Sequence, residues 1–123
     1  EERGVNVRPY SVYGEGEAAH RFIPTVIRCL KYGEKMELAK APQHDWVHVK
    51  DFISAMFAGH TEIGTGLSYS NMQIVEMLEL ISGNKLNYEE MPGRGYDSLR
   101  WVCKKGIPHR YIYEGLKQVY DAS

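Results

Sequence analysis

"HDWVHVKDFISAMFAG", residues 44–59, reads as a strand that runs into a helix. Trp46, Val47 and Val49 are residues that fit a pleated, half-buried surface, so "WVHV" is expected to be a short strand. "DFISAMFAG" is expected to be a short helix, with Asp51 as its cap and Gly59 at its end. A strand feeding a helix is the repeating unit of α/β folds, and the rest of the chain is consistent with more of the same.

Upstream, Val5 to Arg8 reads as a strand ended by Pro9 and a glycine-bearing loop, "SVYGEGE" (11–17). The next stretch, "HRFIPTVIRCLKYG" (20–33), repeats Ile23, Val26, Ile27 and Leu30 at helical spacing. Pro24 suits its first turn and Gly33 its stop. "KMEL" (35–38) is a strand, separated from "WVHV" by the loop "AKAPQHD" (39–45). Downstream, "IGTG" (63–66) is a tight turn, and "SYSNMQIVEMLELISG" (68–83) carries the strongest helix pattern in the chain. Ser70 and Gln73 form a capping box, Ile74, Val75, Leu78 and Ile81 form the buried stripe, and Gly83 ends it. "KLNYEEM" (85–91) is a strand, "PGRGYDS" (92–98) a loop, and "YEGLKQVY" (113–120) a closing helix with Leu116 and Val119 inward. The fold class is therefore α/β, a small α+β-like lobe of short strands with about four helices, taken as a single domain over residues 1–123.

Composition narrows the function classes. The chain has 123 residues, 43% hydrophobic and 25% charged, which is ordinary for a globular protein. Its formal net charge is −1, so no field steers it onto nucleic acid or an anionic membrane. No apolar run reaches the length of a membrane span. Cys29 and Cys103 lie far apart and form no CxxC pair, which excludes a thiolate metal cage and fits a reducing, cytoplasmic setting. "EERGVNVRPY" opens without an initiator methionine and reads as a helix tail, a stop at Gly4 and a strand. The expectation is a piece of something larger.

Several clusters invite a chemical reading. His44 and His48 are four apart, the zinc-pair spacing on a helix, but their surroundings mark a strand and no third ligand has suitable spacing. Asp45 beside His44 could orient an imidazole for acid–base work, which would need a substrate beside it. "IGTG" and "YGEGE" are glycine-rich without being G-x-G-x-x-G, and read as tight turns. In "GRGYDS", Arg94 offers a planar fork of donors for a phosphate and Asp97 suits a hydroxyl pair, while a surface salt bridge is the plainer reading of the same two residues.

Taken in order, these pieces resemble the C-terminal half of the extended short-chain dehydrogenase/reductase family, the NAD-dependent epimerases and dehydratases acting on nucleotide sugars. "RPYSVYGEGE" resembles that family's strand-to-loop segment, "HRFIPTVIRCLKYGEKMEL" its next helix and strand, and "HDWVHVKDFISAM" its Arg-Asp-Tyr/Phe-Ile/Val-x-Val-x-Asp segment. "IGTGLSYSNMQIVEMLELISG" is similar to its Asn-Ile-Gly-x-Gly turn and capped helix, "PGRGYD" to its Arg-x-x-Asp loop, and "YEGLKQVY" to its closing helix. The resemblance implies the C-terminal part of an extended Rossmann-type epimerase lacking its nucleotide-binding half. It implies that Arg94 pairs with a substrate diphosphate, that Asp97 meets ribose hydroxyls, and that Ser11 stands for the asparagine that usually meets the phosphate. Phe22, Ile23, Met36 and Leu38 would wall the base, and Pro9 and Tyr10 would border the nicotinamide end of NAD. His44 stands where the family usually has a phosphate-binding arginine, so the anion grip would be weaker and pH-sensitive.

The same resemblance sets expectations about what is missing. No G-x-x-G-x-x-G precedes a helix, so the parent's NAD would be held mainly by a segment outside this chain, and none is expected for the chain alone. A Tyr-x-x-x-Lys pair is also not expected, because Tyr10 and Tyr13 have no lysine four residues on. Shortening is expected between Val7 and Arg8, over Ala58–Ile63, where a helix end and a strand would be lost, and over Val102–Ile112. No catalytic or metal-ligating residue is assigned. Two hypotheses follow: the substrate-binding portion of an NAD-dependent nucleotide-sugar epimerase or dehydratase, not catalytic alone, and a free-standing nucleotide-sugar-binding or interaction module derived from that family. A separate or upstream Rossmann half is the expected partner of the first, and an oligomer is compatible with either.

Overall fold

The computed structural model describes residues 8–9, 11–92 and 106–123. The elements run β1 (Arg8–Pro9), β2 (Ser11–Tyr13), α1 (Phe22–Tyr32), β3 (Lys35–Leu38), β4 (Gln43–His44), β5 (Trp46–His48), α2 (Val49–Phe57), β6 (Glu62–Ile63), β7 (Tyr69–Ser70), α3 (Asn71–Ser82), β8 (Asn87–Glu90) and α4 (Ile112–Ala122). The α/β class and the four helices thus match the sequence expectation among the described residues.

Strands associate in pairs. β1–β6, β2–β5 and β3–β8 are parallel, and β4–β7 is antiparallel. Parallel pairs join segments far apart in sequence, which is how such short strands bring distant residues side by side. Ser11 lies opposite Trp46 in β2–β5, and His44 opposite Tyr69 in β4–β7.

The main core lies among α1, α3 and α4. Ile23, Val26, Ile27 and Leu30 of α1 meet Ile74, Val75 and Leu78 of α3 and Leu116 and Val119 of α4, joined by Leu38, Trp46 and Tyr13. A smaller cluster of Val47, Ala55, Ile63 and Ile107, with Val12 and Phe52 packed on it, seats α2. α3 forms where its stripe and caps place it. Gln73 N–H donates to Ser70 Oγ (3.1 Å), and Ser70 N–H donates back to Gln73 Oε1 (2.7 Å). Gly83 closes the helix in the left-handed conformation, at φ 75°.

The structure corrects the sequence reading at five places. Ser11–Tyr13 is strand rather than loop, because β5 supplies a parallel partner that local pattern does not reveal. Gln43–His44 is likewise a strand within the expected loop "AKAPQHD". Pro9 is the last residue of β1 rather than the first residue beyond the strand, a position open to a residue that can accept but not donate. Val49 belongs to α2 rather than to β5, and the cap of α2 is His48, whose Nδ1 accepts from Lys50 N–H (3.1 Å); Asp51 lies in the first turn. The strand expected to be lost within Ala58–Ile63 is present as β6, with Ile63 fully buried. The segments at Val5–Val7 and Gly93–Lys105 fall outside the described residues.

Candidate functional site

A cluster of rings forms where β2, β4, β5 and the start of α1 meet. Trp46 on β5 is at its centre. Phe22, the first residue of α1, stacks on it with centroids 6.0 Å apart and planes at 29°. His44 on β4 approaches it edge-on at 5.5 Å. Positions two apart in extended chain share a face, which explains why His44 and Trp46 meet across Asp45. Tyr69 stands across from His44 on β7, and burial pushes its phenol pKa up. Ser11 adjoins Trp46 in register, with its backbone N–H donating to Asp45 O (3.0 Å).

Asp45 itself is fully buried. Its Oδ1 accepts from Thr65 N–H (2.8 Å) and Thr65 Oγ1 (2.7 Å), and its Oδ2 accepts from Gly66 N–H (2.9 Å). These are charge-assisted bonds to a turn, so Asp45 fastens "IGTG" against the β4–β5 junction. Gly106 is required on the far side of that turn, since a Cβ there would run into the Thr65 carbonyl.

His48 points the other way. With Nδ1 accepting from Lys50 N–H, the ring proton sits on Nε2 and is donated to Glu15 Oε1 (2.9 Å). The ring is buried, and Tyr13 meets it edge-on at 5.3 Å. Burial, first, and the Arg110 guanidinium hold the His48 pKa below its ordinary value, against the opposing pull of Glu15 and Asp51. Beside it, Arg110 grips Asp51 through Nε (2.9 Å), Nη2 (3.0 Å) and its backbone N–H (2.9 Å). Burial would raise the Asp51 pKa, but the hydrogen bonds from Arg110 outweigh it and hold the carboxyl below the usual range. Both ring nitrogens of His48 are therefore engaged, and the H-x-x-x-H spacing does not converge on one ion. Among the described residues there is no group of three or more His, Cys, Asp and Glu side chains that could hold a metal.

Of the residues named by the resemblance, Ser11, Phe22 and His44 are brought together around Trp46. Ile23 and Leu38 are buried in the main core, and Met36 packs against it from the β3–β8 pair. Pro9 is placed only through its backbone in β1; Tyr10, Arg94 and Asp97 lie outside the described residues. Trp46 and Tyr69 were missed as site residues. The signal available was an indole two residues from His44, a spacing that puts both on one face of an extended chain.

One expectation about missing motifs is corrected by the sequence itself. A Tyr-x-x-x-Lys spacing does occur, at Tyr113 and Lys117. Both lie on α4, where Lys117 Nζ donates to Asp121 Oδ2 (3.0 Å). Nor do the described turns fit an NAD pyrophosphate. The Gly14–Gly16 turn carries Glu15 and leads to Glu17, acidic where a pyrophosphate cradle needs donors, and the Gly64–Gly66 turn leads into β7 rather than a helix. A separate cleft of about 210 Å³ lies between Gly14–Glu17 and the flanks of α1 and α4, and shares no residue with the ring cluster.

Comparison with known proteins adds the following. The family model described as NAD dependent epimerase/dehydratase family matches residues 2–74. CDP-abequose synthase of Salmonella muenchen is 34% identical over 97 residues, covering 68% of this chain and 33% of the relative. Among solved structures, MoeE5 in complex with UDP-glucose and NAD superposes with a TM-score of 0.81 at 23% identity, over 94% of this chain and 45% of that one. dTDP-glucose 4,6-dehydratase of Bacillus anthracis, in complex with NAD, gives 0.79 at 20% identity, over 94% and 43%. UDP-glucose 4-epimerase of Thermotoga maritima, with UDP-glucose, gives 0.78 at 20%, over 94% and 44%. At these identities the likeness is one of fold. The chain spans a third of the curated relative's length and less than half of each of these solved chains. No described helix is long and apolar enough to cross a membrane.

Proposed function

Because the chain belongs to the NAD-dependent epimerase/dehydratase family, we propose that it is the nucleotide-sugar-binding portion of such an enzyme, a single domain that binds without turning over on its own. The observation that carries this is the ring cluster. Ser11 and Phe22 converge from separate segments on the 44–46 stretch, where Phe22 stacks on the Trp46 indole, His44 meets it edge-on and Ser11 lies opposite Trp46 in register. Flat aromatic surface beside polar donors is the composition of a nucleotide site.

In this reading Phe22 presents its ring to the base, and Ile23, Met36 and Leu38 hold α1 and β3 so that the ring keeps its place. His44, Ser11 and Arg94 meet the diphosphate and Asp97 the ribose. Pro9 and Tyr10 border a nicotinamide that is carried by an upstream or separate Rossmann half. NAD would supply the hydride acceptor and donor in the complete enzyme; the residues of this chain bind and orient the sugar nucleotide. The setting is cytoplasmic.

Calorimetric titration of UDP-, CDP- and dTDP-sugars into the chain tests the proposal, with His44→Ala as a comparison. Saturable heat from at least one nucleotide sugar, weakened in the variant, is expected. No heat from any of them overturns it.

A further inference from the structure

The segment from Thr65 to Asn71 is anchored at both ends against residues 42–45, and Tyr69 lies between the anchors. At the first end, Asp45 accepts from the Thr65 and Gly66 backbone N–H groups and from Thr65 Oγ1. Thr65 Oγ1 also accepts from Leu67 N–H (3.1 Å), which turns the chain toward β7. Midway, Ser68 Oγ donates to Gln43 Oε1 (2.8 Å). At the second end, Asn71 N–H donates to Pro42 O (2.9 Å). The turn is held from its far side as well. Ile107 N–H donates to Gly64 O (2.9 Å), and Gly106 packs where a Cβ would meet the Thr65 carbonyl.

The pairing that sets Tyr69 opposite His44 is two residues long, too short to hold its own register. Asp45 is fully buried, and its neighbours in sequence are His44 and Trp46, which meet in the ring cluster. A buried carboxylate is costly unless its oxygens accept hydrogen bonds, so the 65–66 turn is locked to the backbone that carries both rings. We propose that Asp45 is a positioning residue for nucleotide-sugar binding: through Thr65 and Gly66 it fixes where Tyr69 stands against His44, and so the shape of the site beside Trp46. This rests on the nucleotide-sugar reading above and deepens it. Weakening the clamp lowers the fraction of molecules with a formed site, and the apparent affinity falls in the same proportion.

Asp45→Asn keeps the size of the side chain but turns an NH₂ donor toward groups that themselves donate. Thr65→Val removes the hydroxyl alone, and Thr65→Ser restores it. Val119→Ala opens the main core outside the clamp and is the control for lost stability. Calorimetry with UDP-glucose on the full chain should show affinity about tenfold weaker in Asp45→Asn and about threefold weaker in Thr65→Val. Thr65→Ser and Val119→Ala should bind as wild type does, although Val119→Ala melts lower. In the unliganded chain, the ¹H–¹⁵N signal of Tyr69 should move in Asp45→Asn and Thr65→Val and stay in place in Val119→Ala. Should Asp45→Asn fold poorly, the Thr65 pair decides. Wild-type affinity in Thr65→Val, or an equal loss of affinity in Val119→Ala, overturns the positioning role and leaves the nucleotide-sugar reading standing. If no nucleotide sugar binds the wild-type chain, that reading falls, and this inference with it.

Discussion

Acid should weaken this fold through one ring. His48 caps α2 through a lone pair on Nδ1 and donates from Nε2 to Glu15, and both roles require the neutral tautomer with its proton on Nε2. Protonation puts a hydrogen on Nδ1 facing the Lys50 N–H and removes the cap. Burial and Arg110 depress the folded-state pKa, so the unfolded chain, titrating near the ordinary value of about 6.5, takes up the proton first. The sign follows: stability is complete above about pH 6.5 and falls as pH drops toward the lower folded-state pKa. The slope limit is about 1.4 kcal/mol per pH unit for one proton. Glu15 and Asp51, also held below their ordinary values, lose their contribution in a separate window, below about pH 4.5. Urea midpoints measured from pH 8 to pH 5 for wild type and His48→Asn separate these effects, since asparagine can still cap but does not titrate in this range. Wild type should lose stability between pH 6.5 and 5 and the variant should lose measurably less. Equal slopes for the two proteins would refute the reasoning.

Other consequences are equally direct. Gly115→Ala would push a Cβ into the Tyr13 hydroxyl, buried where α4 crosses β2, and should cost about 1–3 kcal/mol, read as a lower Tm. Arg110→Ala leaves Asp51 without its bidentate partner in a half-buried site; a loss of about 1–3 kcal/mol is expected in urea unfolding, with a smaller loss for Gln118→Ala, which touches only the outer Nη1 of Arg110. Ser70→Ala opens the capping box of α3 and should cost about 1 kcal/mol, whereas Ser70→Asp should keep most of it.

Which parts of this were legible in the sequence depends on how locally each is determined. α3 announces itself because its cap, stripe and stop all lie within sixteen consecutive residues, 68–83. α1 is nearly as plain, from four apolar residues at helical spacing and Gly33. The two-residue strands β4, β6 and β7 have no periodicity to read, because they exist only through a distant partner. β2 is hidden for the same reason, behind a glycine-rich stretch that looks like loop from its first residue. The cap of α2 is His48 and not Asp51, which local pattern cannot show because histidine is not a usual cap; the Lys50 N–H on Nδ1 and Glu15 at Nε2 fix its tautomer for the task. At the candidate site, His44 was legible as a departure from a family pattern. Trp46 was not, because its place at the centre of the ring cluster arises from segments that meet only in the folded chain.

The central claim is that the ring cluster is where a nucleotide sugar binds. It is tested most directly by titrating UDP-glucose into the ¹⁵N-labelled chain and mapping which signals move. Shifts centred on Ser11, Phe22, His44, Trp46 and Tyr69 are expected, with the residues around the Gly14–Glu17 cleft unmoved. Shifts gathered at that cleft instead, or none anywhere, would contradict it.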